Sequence, residues 1–336
     1  MSGKKSLFIA RGEELNQKVM RNKGRGEEIA KDMLNHFKRF HSMNEIYDRD
    51  IEEQILEEEL ENIRNPKPLN FEKGLVTFSP SSVSKTNREL YYKAKNYPKD
   101  EQIFLPYQRR WVRNGSAVHA AVQKDLLYAE EHLKNPAFKV ARMPNGRPSW
   151  EHNLKDVKQF EHNGRRFQIF GMMDGILQYK DGSKIGFEFK TKSTTIGAVG
   201  NYKMKDAHDS HKMQAIAYSL LFGVDEFVFV YESLAKDGWL KGEDAKPDMR
   251  AFYFKPTETQ KQEILDKFAT VVEHVENNDK PEAVQDGSVY LFSEYKTQLK
   301  KDGGFDWFAW DAEQKRIKAE RAAERKAARQ RKAAEK

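Results

Sequence analysis

The chain contains no cysteine. Disulfides, thiolate zinc sites and iron–sulfur clusters are therefore excluded, and any metal must be held by oxygen or by imidazole nitrogen. No apolar run approaches the roughly 18 residues that a membrane span requires. With 33% charged residues and a mean hydropathy of −0.86, no membrane association is expected. The opening MSGKKSLFIARGEEL has too short an apolar patch for a secretory signal, and Glu13 and Glu14 come too early for a transit peptide. The expected compartment is the cytoplasm, or the host cytoplasm for a viral chain. A hydrophobic content of 38% over 336 residues is enough for a sizeable core.

The net charge of +7 is unevenly spread. Residues 311–336 carry ten Lys or Arg against five Asp or Glu, so the remainder holds only about +2. The high pI is mostly a property of the tail. That tail is Ala-, Lys- and Arg-rich with almost no apolar face, which predicts a solvated helix or a disordered segment. Such a tail is either an inert solubiliser or a source of nonspecific attraction to phosphates.

Apolar spacing predicts helices through residues 1–65, one on Ile29, Met33, Leu34, Phe37 and Phe40, another on Ile51, Ile55, Leu56, Leu60 and Ile63. Nine carboxylates against Arg49 between Glu45 and Glu61 mark the second as a solvated acidic face. Asn65-Pro66-Lys67-Pro68 breaks the pattern and sets a boundary. We expect a helical region over 1–70, a main domain over 71–310 and a basic tail over 311–336. Further helices are expected after a Ser79 or Ser81 cap, over 109–133 with His119, Val122 and Leu126 on one face, over 211–223 ended by Gly223, and from Thr257 onward. Residues 156–190, EFVFVYESL and AFYF read as strands. The class is α/β, a central mixed sheet flanked by helices.

Within it, GMMDGILQYKDGSKIGFEFKTK (171–192) reads as two paired strands turned at Asp181-Gly182. Alternation sends Phe187 and Phe189 to the core and projects Glu188 with Lys190 from the other face. A register roughly symmetric about 181.5 brings Asp174 close to them. Two carboxylates in an apolar sheet repel each other and lose hydration unless a cation neutralises them. Their oxygens suit Mg²⁺ or Mn²⁺, and a lysine beside such an ion can act on a water and on phosphate charge. That combination is what phosphodiester hydrolysis needs.

The ordered set G-S-A-V-H (115–119), G-M-M-D (171–174), E-F-K (188–190) and Q-A-I-A-Y (214–218) resembles the PD-(D/E)XK nuclease superfamily, in its RecB-type branch. The resemblance covers at least residues 78–232. It implies that His119, Asp174 and Glu188 bind metal together with the backbone carbonyl of Phe189, that Lys190 acts on the nucleophilic water, and that Gln214 and Tyr218 position the substrate phosphate or the lysine. Without cysteine the chain cannot carry the iron–sulfur cluster of some members. It looks more like cysteine-free stand-alone members, such as the mitochondrial genome maintenance exonuclease and phage RecB-like exonucleases. Ser79, Ser81, Ser82, Tyr91 and Tyr92 echo the family's lead-in segment.

Arg109, Arg110, Lys192, Lys203, Lys205 and Lys212, interleaved with Trp111 and Tyr202, offer the cations and aromatic faces of a single-strand groove, with Lys192 foremost. The expected activity is a metal-dependent DNA exonuclease on single strands or ends, serving recombination, replication or repair alongside proteins of those processes. The exonuclease preference comes from the resemblance. A structure-specific endonuclease on the same fold, or a DNA-binding assembly factor with a vestigial site, remain the alternatives.

Overall fold

A computed structural model describes residues 24–192 and 194–334. The signal-segment reading of residues 1–23 lies outside them. In chain order the elements are α1 (24–41), α2 (Arg49–Arg64), β1 (Val76–Phe78), α3 (Asn87–Ala94), α4 (Pro106–His132), β2 (Phe138–Val140), β3 (Lys155–His162) and β4 (Arg165–Met172). They continue with β5 (Gly175–Tyr179), β6 (Lys184–Lys192), α5 (Asp209–Phe222), β7 (Phe227–Ser233), β8 (Met249–Phe254), α6 (Glu258–Glu276), α7 (Lys296–Asp302) and α8 (Trp307–Ala334). Short 3₁₀ turns punctuate the series. The class is α/β with helices flanking mixed strands, and no helix among the described residues is long and apolar enough to cross a membrane.

The chain forms two compact units. The first comprises residues 24–84, 104–162 and 166–266, the second 85–103, 163–165 and 267–334. In the first, five strands pair in the order β2-β5-β6-β7-β8, with β6 and β7 parallel and the other pairs antiparallel. A separate three-stranded sheet runs β1-β4-β3. The expectation of two paired strands over 171–192 is corrected here. Gly171 and Met172 close β4 in the small sheet, and only from Gly175 does the chain join the large one. Asp174 sits at the crossing.

The hairpin register is also half a residue from the expected one. Gly175 pairs with Phe187 and Leu177 with Ile185, a ladder centred on residue 181. The cause is a three-residue loop, Lys180-Asp181-Gly182, in which Gly182 takes φ 86° and its N–H donates to the Tyr179 carbonyl at 2.8 Å. Extrapolated by one step, that ladder sets Asp174 opposite Glu188.

β6 is central, and both of its faces are covered. Ile185, Phe187 and Phe189 join Val228, Val230, Val122 and Leu126 in one core, while Phe227, Phe229 and Tyr231 pack with Met173, Ala215 and Tyr218 in another. Glu188 lies beside Phe229 in the register and belongs to the second face, which is itself covered, so it is 1% exposed. Gly186, paired with Phe227, leaves room for that ring.

In the second unit Tyr91, Tyr92, Tyr290, Tyr295, Leu299 and Phe305 form an aromatic core. The cap of α3 is Thr86, whose hydroxyl accepts from the Glu89 N–H at 3.2 Å while Glu89 accepts from the Thr86 N–H at 3.0 Å. Neither Ser79 nor Ser81 caps that helix as expected. Ser79 instead starts the 3₁₀ turn Pro80–Ser82, because Pro80 suits a first helical position and Ser82 completes the box. In the C-terminal tail the expected helix is present, running to Ala334 within α8.

A methyl group at residue 186 would lie 2.5 Å from Cδ1 and Cε1 of the fully buried Phe227 ring. Gly186→Ala is expected to destabilise the first unit by about 1–3 kcal/mol. Urea unfolding followed by circular dichroism should show the lowered midpoint, and an unchanged midpoint would refute this packing.

Candidate active site

Three segments meet at the crossing. The crossing itself carries Asp174, and β6 carries Glu188 and Lys190. α4 contributes His119, about one turn beyond its close approach to β6, where a Cβ at Gly115 would stand 3.2 Å from Thr191 Oγ1. The loop before β3 contributes Glu151, placed by the Ile176 N–H donating to the Ser149 carbonyl at 2.9 Å and by the Trp150 to Gly175 bridge.

The Lys190 ammonium donates to Glu188 Oε2 at 2.7 Å and stands 3.6 Å from Asp174 Oδ2. It thus bridges the two carboxylates. Asp174 Oδ2 also accepts from the Phe189 N–H at 2.8 Å and lies 3.4 Å from His119 Nε2. On its other side His119 Nδ1 is 3.5 Å from Glu151 Oε2, and its ring stacks on Phe189 at 6.0 Å. The structure therefore gathers Lys190, Asp174, Glu188, His119 and the Phe189 backbone. Two atoms of this group, Glu188 Oε1 and His119 Nε2, are buried without a hydrogen-bond partner. At 3.4 Å the His119 to Asp174 approach is electrostatic and not a formed hydrogen bond.

Electrostatics separates the carboxyls. Burial, then Asp174, pushes Glu188 up to about 7. Burial also works against the Asp174 charge, but Lys190, His119 and the Phe189 N–H outweigh it and hold Asp174 below its ordinary value. Lys190 would be lowered by burial alone; Glu188 and Asp174 reverse this and raise it, so it keeps its proton at neutral pH. For His119 burial again lowers, while Asp174 and Glu151 pull the imidazole up.

These groups open on a cleft of about 420 Å³ whose walls include Gly115, Ser116, Thr191, Lys192 and His211. Lys192 Nζ is 2.9 Å from His208 Nε2 and lies over the Tyr231 ring at 5.4 Å. Burial lowers its pKa. Gln214 and Tyr218 do not line the cleft. Gln214 Nε2 donates to the Tyr218 hydroxyl at 2.8 Å, and that hydroxyl donates to the Met172 carbonyl at 2.5 Å. Together with Gln123, which donates to the Asp174 carbonyl at 3.1 Å, they fix the backbone on both sides of the crossing.

Glu151 and His211 were not anticipated. Glu151 sits in a turn with no periodicity to place it. His211 had a usable signal, since 211, 214 and 218 follow helical spacing on one face. Its Nδ1 is 2.7 Å from the Tyr231 hydroxyl, and burial, then Lys190, pushes it down to about 4.

The donors for a divalent ion are present, two hard carboxylates and an imidazole, and two of their buried atoms lack partners. They fit Mg²⁺ or Mn²⁺ in kind. Among the described residues, no three His, Asp or Glu side chains are closed around one point as a ready metal cage. The Lys190 ammonium supplies the compensating charge in this arrangement.

No protein-family model matches the chain, and no curated protein matches it. Among solved structures, the protein SSO0001 is similar at 14% identity and a TM-score of 0.39, over 74% of this chain and 95% of that one. An alkaline exonuclease from Laribacter hongkongensis is similar at 12% identity and 0.37, over 61% and 90%. A phage-related exonuclease from Haemophilus somnus 129PT follows at 12% and 0.32, over 59% and 81%. Overlap at this level leaves activity to be derived from the side chains.

Because Glu188 is raised to about 7 from 4.5, the folded state binds its proton more tightly than the unfolded state. Its stabilising contribution is full below the unfolded value and is lost as pH rises through about 7. In EDTA, Glu188→Gln should therefore gain on the parent by about 1–3 kcal/mol between pH 5 and pH 8.5. Urea unfolding at the two pH values measures this, and a pH-independent difference would mean that the carboxyl titrates normally.

Proposed function

We propose that the chain is a divalent-metal-dependent deoxyribonuclease of the PD-(D/E)XK type, RecB-like branch, acting as an exonuclease on single strands or DNA ends. In this reading residues 71–310 form the nuclease domain, 1–70 the region that precedes it and 311–336 a basic tail, and the enzyme works in the cytoplasm in recombination, replication or repair. The observation that carries it is the meeting of Asp174, His119 and Lys190 on one cleft, with Glu188 buried directly behind them against Lys190. A structural ion pair needs two of these groups. Four, with His119 Nε2 and one carboxylate oxygen of Glu188 buried and without hydrogen-bond partners, are costly unless they serve chemistry.

Asp174, Glu188 and His119, with the Phe189 carbonyl, would hold Mg²⁺ or Mn²⁺. When bound, such an ion supplies Lewis acidity and a water of lowered pKa. The protein's own groups do the rest. Without the ion, Glu188 and Asp174 keep the proton on Lys190; in the reaction that lysine would act on the attacking water and stabilise charge on the phosphate. Lys192, on the cleft wall, meets the next phosphate. Glu151 orients His119 through Nδ1, as a carboxylate behind a ligating imidazole does. Gln214 and Tyr218 keep the crossing in place and are positioning residues.

The reading is tested with 5′- and 3′-labelled linear strands, duplexes and covalently closed circles, each with Mg²⁺, Mn²⁺ or EDTA. Cleavage of linear DNA should require the ion, spare closed circles and fall by about a hundredfold or more in Lys190→Ala, with DNA binding retained. Equal rates for parent and variant would remove Lys190 from the mechanism. Binding without cleavage under every condition would favour a vestigial site.

A further inference from the structure

α4 has two unlike halves. From Val122 on, it buries Val122, Leu126, Leu127, Tyr128 and Ala129. Before Gly115 it has no buried residue and its side chains are mostly exposed, Tyr107 and Trp111 at 46% each and Val112 at 60%. Four-residue steps connect Tyr107, Trp111 and Gly115, and Gly115 already lines the cleft. The distance from Tyr107 to His119 along the axis is about 18 Å.

This half is also chemically one-sided. Between Gln102 and Lys124 there is no acidic residue, while Arg109, Arg110 and Arg113 are all exposed. Among the described residues no carboxylate pairs with these three guanidinium groups. Some arginines elsewhere find carboxylates, as Arg25 does with Glu226, Arg142 with Glu130 and Arg166 with Glu72, while among the described residues Arg39 and Arg250 have only uncharged partners. What sets Arg109, Arg110 and Arg113 apart is that they fall together on one exposed stretch of helix. Tyr107 and Trp111 meet edge to face at 5.5 Å, and Arg109 lies over the Phe104 ring at 5.5 Å. Unpaired guanidinium groups on a helix with exposed aromatic rings match a chain of phosphates with unstacked bases.

We propose that the overhanging half of α4 is a track for single-stranded DNA, with phosphates on Arg109, Arg110 and Arg113 and bases against Trp111 and Tyr107, leading the strand to the cleft at Gly115 and His119. This rests on the nuclease reading for its direction but is measurable without cleavage. A duplex keeps its bases stacked inside and cannot use the rings. The strand preference therefore resides in this helix.

The test is fluorescence anisotropy of a 5′-fluorescein 20-mer oligothymidylate in EDTA, over a series of salt concentrations, with a blunt hairpin duplex as comparator. The combined variant Arg109→Ala, Arg110→Ala and Arg113→Ala should weaken strand binding at low salt and reduce the slope of log K against log salt by about 2. Trp111→Ala should weaken it by roughly 5- to 150-fold, with Trp111→Phe restoring most of the loss, while duplex binding changes little. Because these side chains are exposed, circular dichroism melts should match the parent. Parent-like affinity and slope in the combined variant, or equal losses on strand and duplex in Trp111→Ala, would overturn the proposal. Hydrolysis of thymidine 5′-(p-nitrophenyl) phosphate, too small to reach the track, is read separately with Mn²⁺. An inert parent would remove the nuclease reading and leave the binding comparison standing.

Discussion

A carboxylate buried in a central strand is the constraint on which the rest depends. Glu188 is 1% exposed, between a parallel neighbour and an antiparallel one, and covered on both faces. Desolvating a carboxylate to that degree costs several kcal/mol unless a charge answers it. Lys190 answers it from the same strand, two residues on. The second carboxylate, Asp174, then raises the demand for positive charge beyond what one ammonium meets. One carboxyl is held low and the other high, which is how two acids share an insufficient cation. Such a cluster is biased toward binding a further cation, so electrostatics that makes the strand costly to fold is also what makes it suited to a divalent ion.

The backbone around Asp174 explains how the second acid can be there. In a regular hairpin it would continue a ladder, and an acid opposite Glu188 would be a plain repulsive pair. Leaving one sheet at Met172 and entering the other at Gly175 frees residues 173 and 174 from the ladder, so the Asp174 side chain can accept the Phe189 N–H. Tyr218 and Gln123 hold the carbonyls of Met172 and Asp174. The crossing is thus held by hydrogen bonds from two different helices, and residues four apart on α5 matter through backbone they fix.

Much of this was readable from residue types alone. The hairpin, the Gly223 helix end, the 3.6-residue periods and the proximity of Asp174, Glu188 and Lys190 follow from local chemistry, and the structure contains each of them. What sequence could not supply is tertiary. Alternation put Glu188 on the face opposite Phe187 and Phe189, but it carries no information on whether a second layer covers that face. A two-residue turn and a three-residue turn both suit Asp-Gly, and the choice moves the register by half a residue. Glu151 comes from a loop, where no period exists. Thr86 displaced Ser79 as the α3 cap because Pro80 and Ser82 had already committed Ser79 to its own turn.

α4 shows how one element can separate folding from surface chemistry. Its C-terminal half is nucleated by a buried face, and once that exists each added turn costs little beyond propensity. Arg109, Arg110 and Val112 therefore need no core of their own to stay helical. Nothing in packing then requires Tyr107 and Trp111 to be aromatic, since an exposed ring gains little from the fold and adds an apolar patch to the surface. Nor does stability require three unpaired arginines in one run, whose mutual repulsion works against the helix. Side chains that folding does not need, at the end of the helix that delivers His119 to the cleft, are accounted for by something outside the chain that touches both.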